Sequence, residues 1–322
     1  MLPLSAIRAS IPTVQALINY GFRSNIEAIF PKGVRIVREG YIEVGGKNIW
    51  YSVYGEKQKR TQLLVVHGGP GFVTMPQVVS DFAKDRPVYL YDQLGCGRSD
   101  RADDNSFYTV DYYVCELAEV KRRLNLEDVY LLGFSWGTAL ICSYMLQEKP
   151  TGIKGLILCG PLLSAPRWDA DQRANISDMP DDIREAIESG EAAQDYGERY
   201  QSAMMEYYYK HVCRLHPWPD YVEEALSKLN PDVYNTMWGP SEFTITGTLK
   251  DFDLLPRLHE IDLSVLLTCG DYDEAGVKTV KDYQMAFPDA SMAVIPESAH
   301  LHHIEQPEIF KTIVNNFLMK FD

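Results

Sequence analysis

Apolar and polar residues follow two different rhythms along this chain. From residue 38 the rhythm is that of strands. Gly40-Tyr41-Ile42-Glu43-Val44 and Asn48-Ile49-Trp50-Tyr51-Ser52-Val53-Tyr54 flank Gly45-Gly46, a pattern that predicts a hairpin. Residues 62–66, Gln-Leu-Leu-Val-Val, are nearly all apolar, as expected of a strand covered on both faces. Further apolar runs lie at 87–91, 129–132, 153–160, 263–269 and 291–295. Helical spacing marks 111–124, 138–148 and 307–321. Strands and helices in this alternation predict an α/β fold with a doubly wound, mostly parallel sheet.

The rhythm breaks between 163 and 255. There the spacing is helical and the aromatics are dense, among them Tyr196, Tyr200, Tyr207, Tyr208, Tyr209, Trp218, Tyr234 and Trp238. The expected organisation is a core of residues 37–162 and 258–322, interrupted by a helical cap at 163–257 over the carboxyl edge of the sheet. Residues 1–36 form an N-terminal extension. Its apolar positions Ile11, Val14, Leu17 and Ile18 have helical spacing, and no role is assigned to it.

Charge and cysteine usage narrow the class. A formal net charge of −14, with no Lys/Arg-rich run, argues against a nucleic-acid partner. No apolar run reaches the roughly 18 residues that span a bilayer, so no membrane partner is expected. The first residues lack a basic stretch leading into an apolar block, which makes a poor signal peptide. Six cysteines, at 96, 115, 142, 159, 213 and 269, contain no C-x-x-C pair, and Cys159 and Cys269 fall in predicted core strands. A soluble cytoplasmic protein is expected, and its oligomeric state is left open.

The chemistry concentrates at strand ends. The run at 129–132 leads into Gly133-Phe134-Ser135-Trp136-Gly137, a G-x-S-x-G match bounded by a strand and a helix. In that context it predicts a nucleophile elbow, with Ser135 exposed at a sharp turn and the Trp136 amide aimed at an oxyanion. The run at 62–66 ends in His67-Gly68-Gly69-Pro70-Gly71, a loop whose glycines let a backbone amide face a ligand. Asp92 and Arg98, in the glycine-containing segment 92–100, are expected to brace that loop. A serine nucleophile also needs a base and an acid, in the order Ser, Asp or Glu, His. Asp271 and Asp273 compete for the acid. For the base, His300 leaves its strand first. His302 and His303 are expected at the polar surface or in the helical turn that follows.

Several of these segments together resemble one family. His67-Gly-Gly-Pro-Gly71, Asp92-Gln-Leu-Gly-Cys-Gly-Arg-Ser99, Gly133-Phe-Ser-Trp-Gly137, Gly239-Pro-Ser-Glu-Phe-Thr-Ile-Thr-Gly-Thr248 and Gly270-Asp-Tyr-Asp-Glu274 are similar to the proline iminopeptidases of the α/β-hydrolase fold. The likeness is closest to the tricorn-interacting aminopeptidase branch, and runs from about residue 38 to the C-terminus. It leaves out residues 1–36 and the doubled His302-His303. The resemblance implies Ser135 as nucleophile, Asp273 as acid, His300 as base, and the Gly69 and Trp136 amides as oxyanion donors. It also assigns Glu242 and Glu274 to the free amino group of the substrate. The implied activity is a serine aminopeptidase, acting through an acyl-enzyme on an N-terminal proline or other apolar residue of short peptides or amino-acid amides. It calls for no metal and no organic cofactor. A general carboxylesterase or lactonase on the same scaffold is the rival expectation, and a non-catalytic receptor a remoter one.

Overall fold

The structure, a computed structural model, describes residues 36–320 and 322. The helix suggested for 1–36 thus lies almost wholly outside the described residues. The predicted hairpin is β1 (Ile36–Val44) and β2 (Lys47–Tyr54), joined through Gly45 and Gly46 at φ 56° and 80°. Two successive positive φ values suit the twist of a two-residue hairpin turn, which is why two glycines stand there. The remaining strands are β3 (Gln62–Val66), β4 (Val88–Tyr91), β5 (Val129–Phe134), β6 (Ile153–Cys159), β7 (Ser264–Gly270) and β8 (Asp289–Ile295). They form one eight-stranded sheet in the order β1-β2-β4-β3-β5-β6-β7-β8. Only β1 with β2 and β2 with β4 pair antiparallel; every other pair is parallel.

The short helix α1 (Pro76–Val79) follows β3, and α2 (Val110–Arg123) and α3 (Trp136–Glu148) flank β5. Thr109 caps α2 by accepting from Tyr112 N. Alternate side chains of each strand feed opposite faces of the sheet. Leu64, Val66, Leu131 and Leu158 pack with Leu117 of α2 and Ile141 of α3. Their neighbours Leu63, Val65, Leu132 and Ile157 pack with Phe82, Phe310, Val314 and Phe317 on the other side. A sheet covered on both faces needs apolar residues at every position, and this explains the unbroken apolar runs.

Between β6 and β7 the chain forms α4 (Ala165–Ser177), α5 (Asp181–Ala193), α6 (Glu198–His211), α7 (Asp220–Ser227) and α8 (Pro231–Met237). Part of this insertion has a core of its own, in which Ile176, Ile187, Tyr200, Tyr207 and Phe243 meet. Trp168 of α4 and Val233, Tyr234 and Met237 of α8 instead join the main core. The insertion is therefore anchored to the sheet and is not a separate module. After β7 come α9 (Val277–Ala286), the turn α10 (His302–Glu305) and α11 (Pro307–Leu318). Among the described residues, no helix is long and apolar enough to cross a membrane.

The tightest packing lies under the elbow. A Cβ on Gly137 would stand 2.3 Å from Val66 O and 2.8 Å from His67 O, and one on Gly133 would stand 2.8 Å from the Gly137 backbone. Strand, turn and helix touch backbone to backbone there, so both flanking positions require glycine. Gly137→Ala should cost about 2–4 kcal/mol of stability, because neither carbonyl can retreat without disturbing β3. Gly45→Asn, on an open turn where Asn tolerates positive φ, should cost well under about 1 kcal/mol. Urea unfolding of both variants checks the contrast, and equal stabilities would refute this account of the elbow.

Candidate active site

Ser135 sits between β5 and α3 with φ 49° and ψ −120°, outside the ordinary regions for a residue with a side chain. Such strain persists only where the surroundings enforce it. Here the glycine contacts below the turn do so, together with a hydrogen bond from Ser135 N to Cys159 O at 2.9 Å. The loop after β3 lies directly against this turn: a Cβ on Gly68 would be 3.2 Å from Ser135 Cβ. Gly69, next in that loop, has φ 117°, a value that favours glycine. The loop that carries Gly69 thus lies against the turn that leads into Trp136, two segments predicted from separate motifs. Ser135, Gly68, Gly69, Glu242, Glu274 and His300 all line a single cavity of about 710 Å³.

His300 enters from the loop after β8. Its Nδ1 is 2.8 Å from Asp273 Oδ1, which leaves Nε2 for the cavity side. The ring rests on bare backbone, since a Cβ on Gly160 would be 2.6 Å from His300 Cε1, and Trp168 meets it edge-on at 5.5 Å. Asp273 is 4 % exposed and fully occupied: Oδ1 also accepts from Ala275 N at 2.8 Å, and Oδ2 from Gly270 N at 3.1 Å. Asp271 takes a different part. It accepts from Glu297 N and Ser298 N, both at 3.1 Å, and so ties the acid loop to the base loop. Of the two competing aspartates, Asp273 is the one bonded to His300.

Of the two places expected for His302 and His303, the structure shows the helical turn and not the surface. Both are buried and lie in the helical turn α10. His302 Nε2 lies 2.9 Å from Thr268 Oγ1, and its Nδ1 is 3.5 Å from Asp273 Oδ2, close enough for charge but long for a hydrogen bond. His303 stacks on Phe134 at 4.3 Å and lines the cavity. The physical reason is the tight packing of α10 against Phe310 and the sheet, which a hydrophilicity argument overlooks. Asp92 and Arg98 behave as expected. Asp92 braces its loop by accepting from Thr74 N and Arg98 N, while Arg98 lies over the Trp50 ring at 3.8 Å.

Electrostatics divide the carboxylates into two kinds. Burial raises Asp273, but the charge and hydrogen bond of His300, with His302 beside them, outweigh it and hold the carboxyl well below its usual range. Burial lowers His300, and the Asp273 charge and hydrogen bond, aided by Glu242, more than reverse that; the imidazole rests above its ordinary 6.5. Glu274 is the opposite case. It is 0 % exposed, neither carboxylate oxygen has a hydrogen-bond partner, and Oε1 is 3.8 Å from His300 Nε2. Burial, followed by repulsion from Glu242 and Asp273, drives its carboxyl well above the ordinary value. Glu242 lies partly open on the cavity wall. Trp168 Nε1 and Trp238 Nε1 grip its carbonyl at 3.0 and 3.3 Å. Burial raises its carboxyl too, with Tyr234 and His300 pulling part of the way back.

The arrangement supplies a strained hydroxyl, an imidazole paired to a firmly anionic carboxylate, glycine-lined backbone and two carboxylates short of positive charge. Comparisons with known proteins agree with that chemistry. The chain matches the α/β hydrolase fold family over residues 61–307. It is 42% identical over 283 residues to a proline iminopeptidase of Heyndrickxia coagulans, covering 87% of this chain and 98% of that one. The crystal structure of a proline iminopeptidase from Mycobacterium smegmatis superposes with a TM-score of 0.81 at 31% identity, covering 88% and 98% of the two chains. That of VinJ gives 0.86 at 30%, covering 89% and 100%.

The His300–Asp273 pair sets a pH dependence. A base must be neutral to accept a proton, and this imidazole is held above 6.5. The acid limb of kcat/KM should therefore fall above pH 6.5. In Asp273→Asn the counter-charge is gone, so the limb should move to lower pH while the rate drops; Asp271→Asn should leave the limb in place. A pH profile of the three proteins tests this, and an unmoved limb in Asp273→Asn would contradict the pairing.

Proposed function

The chain belongs to the proline iminopeptidase family of α/β-hydrolases, and on that premise we propose that Ser135, His300 and Asp273 make it a serine aminopeptidase. It removes an N-terminal proline or other apolar residue from short peptides or amino-acid amides. The single observation that carries this reading is Glu274, buried in the cavity beside His300 with both oxygens unpartnered. A buried carboxylate without a partner is costly, and the group that relieves it is a cation. Glu242 stands on the same cavity wall, so the two together suit the ammonium of a free amino terminus.

The reaction follows from the geometry. The ammonium, held by Glu242 and Glu274, sets the first carbonyl of the peptide over Ser135. Ser135 Oγ attacks as His300 Nε2 takes its proton, and Asp273, bonded to Nδ1, stabilises the imidazolium. The developing oxyanion is received by the Gly69 and Trp136 amides, with the N-terminus of α3 behind the second. Collapse breaks the C–N bond, and the leaving amine takes the proton from His300. Water, deprotonated by the same imidazole, then releases the free amino acid. The helical insertion acts as a cap: Tyr208, Tyr234 and Glu242 close one side of the cavity, which keeps internal peptide bonds from reaching Ser135. The buried, unpaired thiols of Cys159 and Cys269 suit a reducing cytoplasm.

Ser135→Ala should lower kcat by roughly 10³-fold or more with the fold intact. Glu242→Gln and Glu274→Gln should each weaken kcat/KM on free-amine arylamides by roughly 2–5 kcal/mol, with part of the loss in kcat. Hydrolysis of a small neutral ester by those two variants should barely change. N-acetylating the substrate should reproduce the loss in the wild type. Steady-state kinetics on free and blocked arylamides decide the matter: equal rates on both would replace the aminopeptidase with a generalist esterase.

A further inference from the structure

The two proposed oxyanion donors stand on separate strands' loops, Gly69 after β3 and Trp136 after β5. Packing of Gly68 on Phe134 and of Gly137 on His67 O sets how closely these loops can approach. Contact of that kind prevents closer approach but does not prevent parting or rotation. The loop after β3 is also rich in glycine, whose backbone is the most permissive of any residue. Some directional bond has to hold the two amides in register, because donors of this type act over a few tenths of an ångström.

Gln93 supplies that bond. Its Nε2 donates to His67 O and its Oε1 accepts from Trp136 Nε1, each at 3.0 Å. Its backbone N–H donates to His67 Nε2, also at 3.0 Å. With Nε2 accepting, the His67 proton sits on Nδ1, which then donates to Gly68 O at 2.8 Å. One side chain therefore touches the residue carrying one donor amide and the loop carrying the other. All three residues are buried, Gln93 at 1 % exposure, His67 at 4 % and Trp136 at 0 %. The segment holding Gln93 is itself pinned to α2, where Glu116 Oε2 accepts from Leu94 N at 3.0 Å and Tyr113 donates from its hydroxyl to Leu94 O at 2.9 Å. An amide side chain fits the bridge, since one end donates to a carbonyl and the other accepts from an indole.

We propose that Gln93 is a positioning residue for the reaction, aligning the Gly69 and Trp136 amides on the oxygen of the tetrahedral intermediate. The proposal rests on the reading of those two amides as oxyanion donors. It differs from a role in stability alone, because alignment matters only once the oxyanion forms.

The test uses the full chain with Gln93→Met, close in shape but without donor or acceptor. On a prolyl-arylamide, kcat should fall about 10- to 100-fold while KM stays within about threefold. Hydrolysis of p-nitrophenyl acetate should fall alongside, since an ester needs the oxyanion donors but not the ammonium clamp. Affinity for the boronic-acid analogue of proline, whose serine adduct places an oxygen in the same hole, should weaken by a similar factor, and affinity for free proline should hold. If Gln93→Met fails to fold by circular dichroism, Trp136→Phe carries the same measurements, as it removes the indole N–H together with part of the ring and keeps the backbone amide. Unchanged kcat on both substrates would overturn the proposal, as would equal weakening of boronate and proline, or a loss confined to the arylamide. A wild-type enzyme indifferent to N-acetylation would sink the aminopeptidase reading alone, and the ester and boronate measurements would still judge Gln93.

Discussion

Backbone crowding at the carboxyl ends of β3 and β5 is the constraint on which this site depends. Two parallel strands end side by side, and the helix leaving the second must pass over the carbonyls of the first. With Val66 O and His67 O so close to Gly137, no side chain fits at that position. The turn is then too tight for an ordinary conformation, and Ser135 takes up the strain at φ 49°. An energetically poor backbone is what lifts the hydroxyl off the sheet, while the same parallel arrangement delivers Asp273 and His300 to the same edge from β7 and β8. Stability is given up locally and is recovered in the two apolar layers that sandwich the sheet.

Charge is the second constraint, and it works by imbalance. Asp273 lies in a setting that satisfies each of its oxygens, so it stays ionised and fixes the imidazole. One residue along the chain, Glu274 has no hydrogen-bond partner at all on its side chain. Neighbouring carboxylates with opposite treatment are what the proposed division of labour requires: one is a permanent part of the protein, and the other is left for what binds. On that proposal the selectivity needs no contact with the rest of a peptide, because an acylated amine leaves Glu274 as uncompensated as before.

Much of this was legible in the sequence because its causes are local. Unbroken apolar runs follow from a sheet covered on both faces, and the Gly-Gly hairpin from the twist of its strands. G-x-S-x-G is legible because the crowding it answers lies within five residues. The parts that were not legible depend on contacts distant along the chain. The helical turn at His302 was among the expectations, but its burial was not, since that depends on packing against Thr268, Asp273 and Phe310. Gln93 gave no signal of its own, since a glutamine beside a glycine-rich segment reads as loop; its partners lie 26 and 43 residues away. The choice between Asp271 and Asp273 came from resemblance, and their hydrogen bonds supply a physical basis for it.

The helical insertion does more than roof the cavity. His300 N donates to His211 O at 3.1 Å and Leu301 N donates to Val212 O at 2.8 Å, so the loop bearing the imidazole is bonded to the end of α6. Glu305 reinforces the junction, one oxygen accepting from Ala299 N at 2.9 Å and the other from Arg214 N at 3.0 Å. His211 reaches the acid loop as well, its Nδ1 lying 2.9 Å from Tyr272 O, and the Arg214 guanidinium lies 3.7 Å from the centre of the Tyr272 ring. The acid and base loops are thus each tied to the insertion and, through Asp271, to one another. An insertion joined only through its chain connections could shift while leaving the imidazole in place. Here the end of α6 and the loop that carries His300 are bonded together, so the insertion and that loop are held in one framework. On the proposed reading, recognition of the amino terminus and proton transfer at Ser135 are set by the same network of bonds.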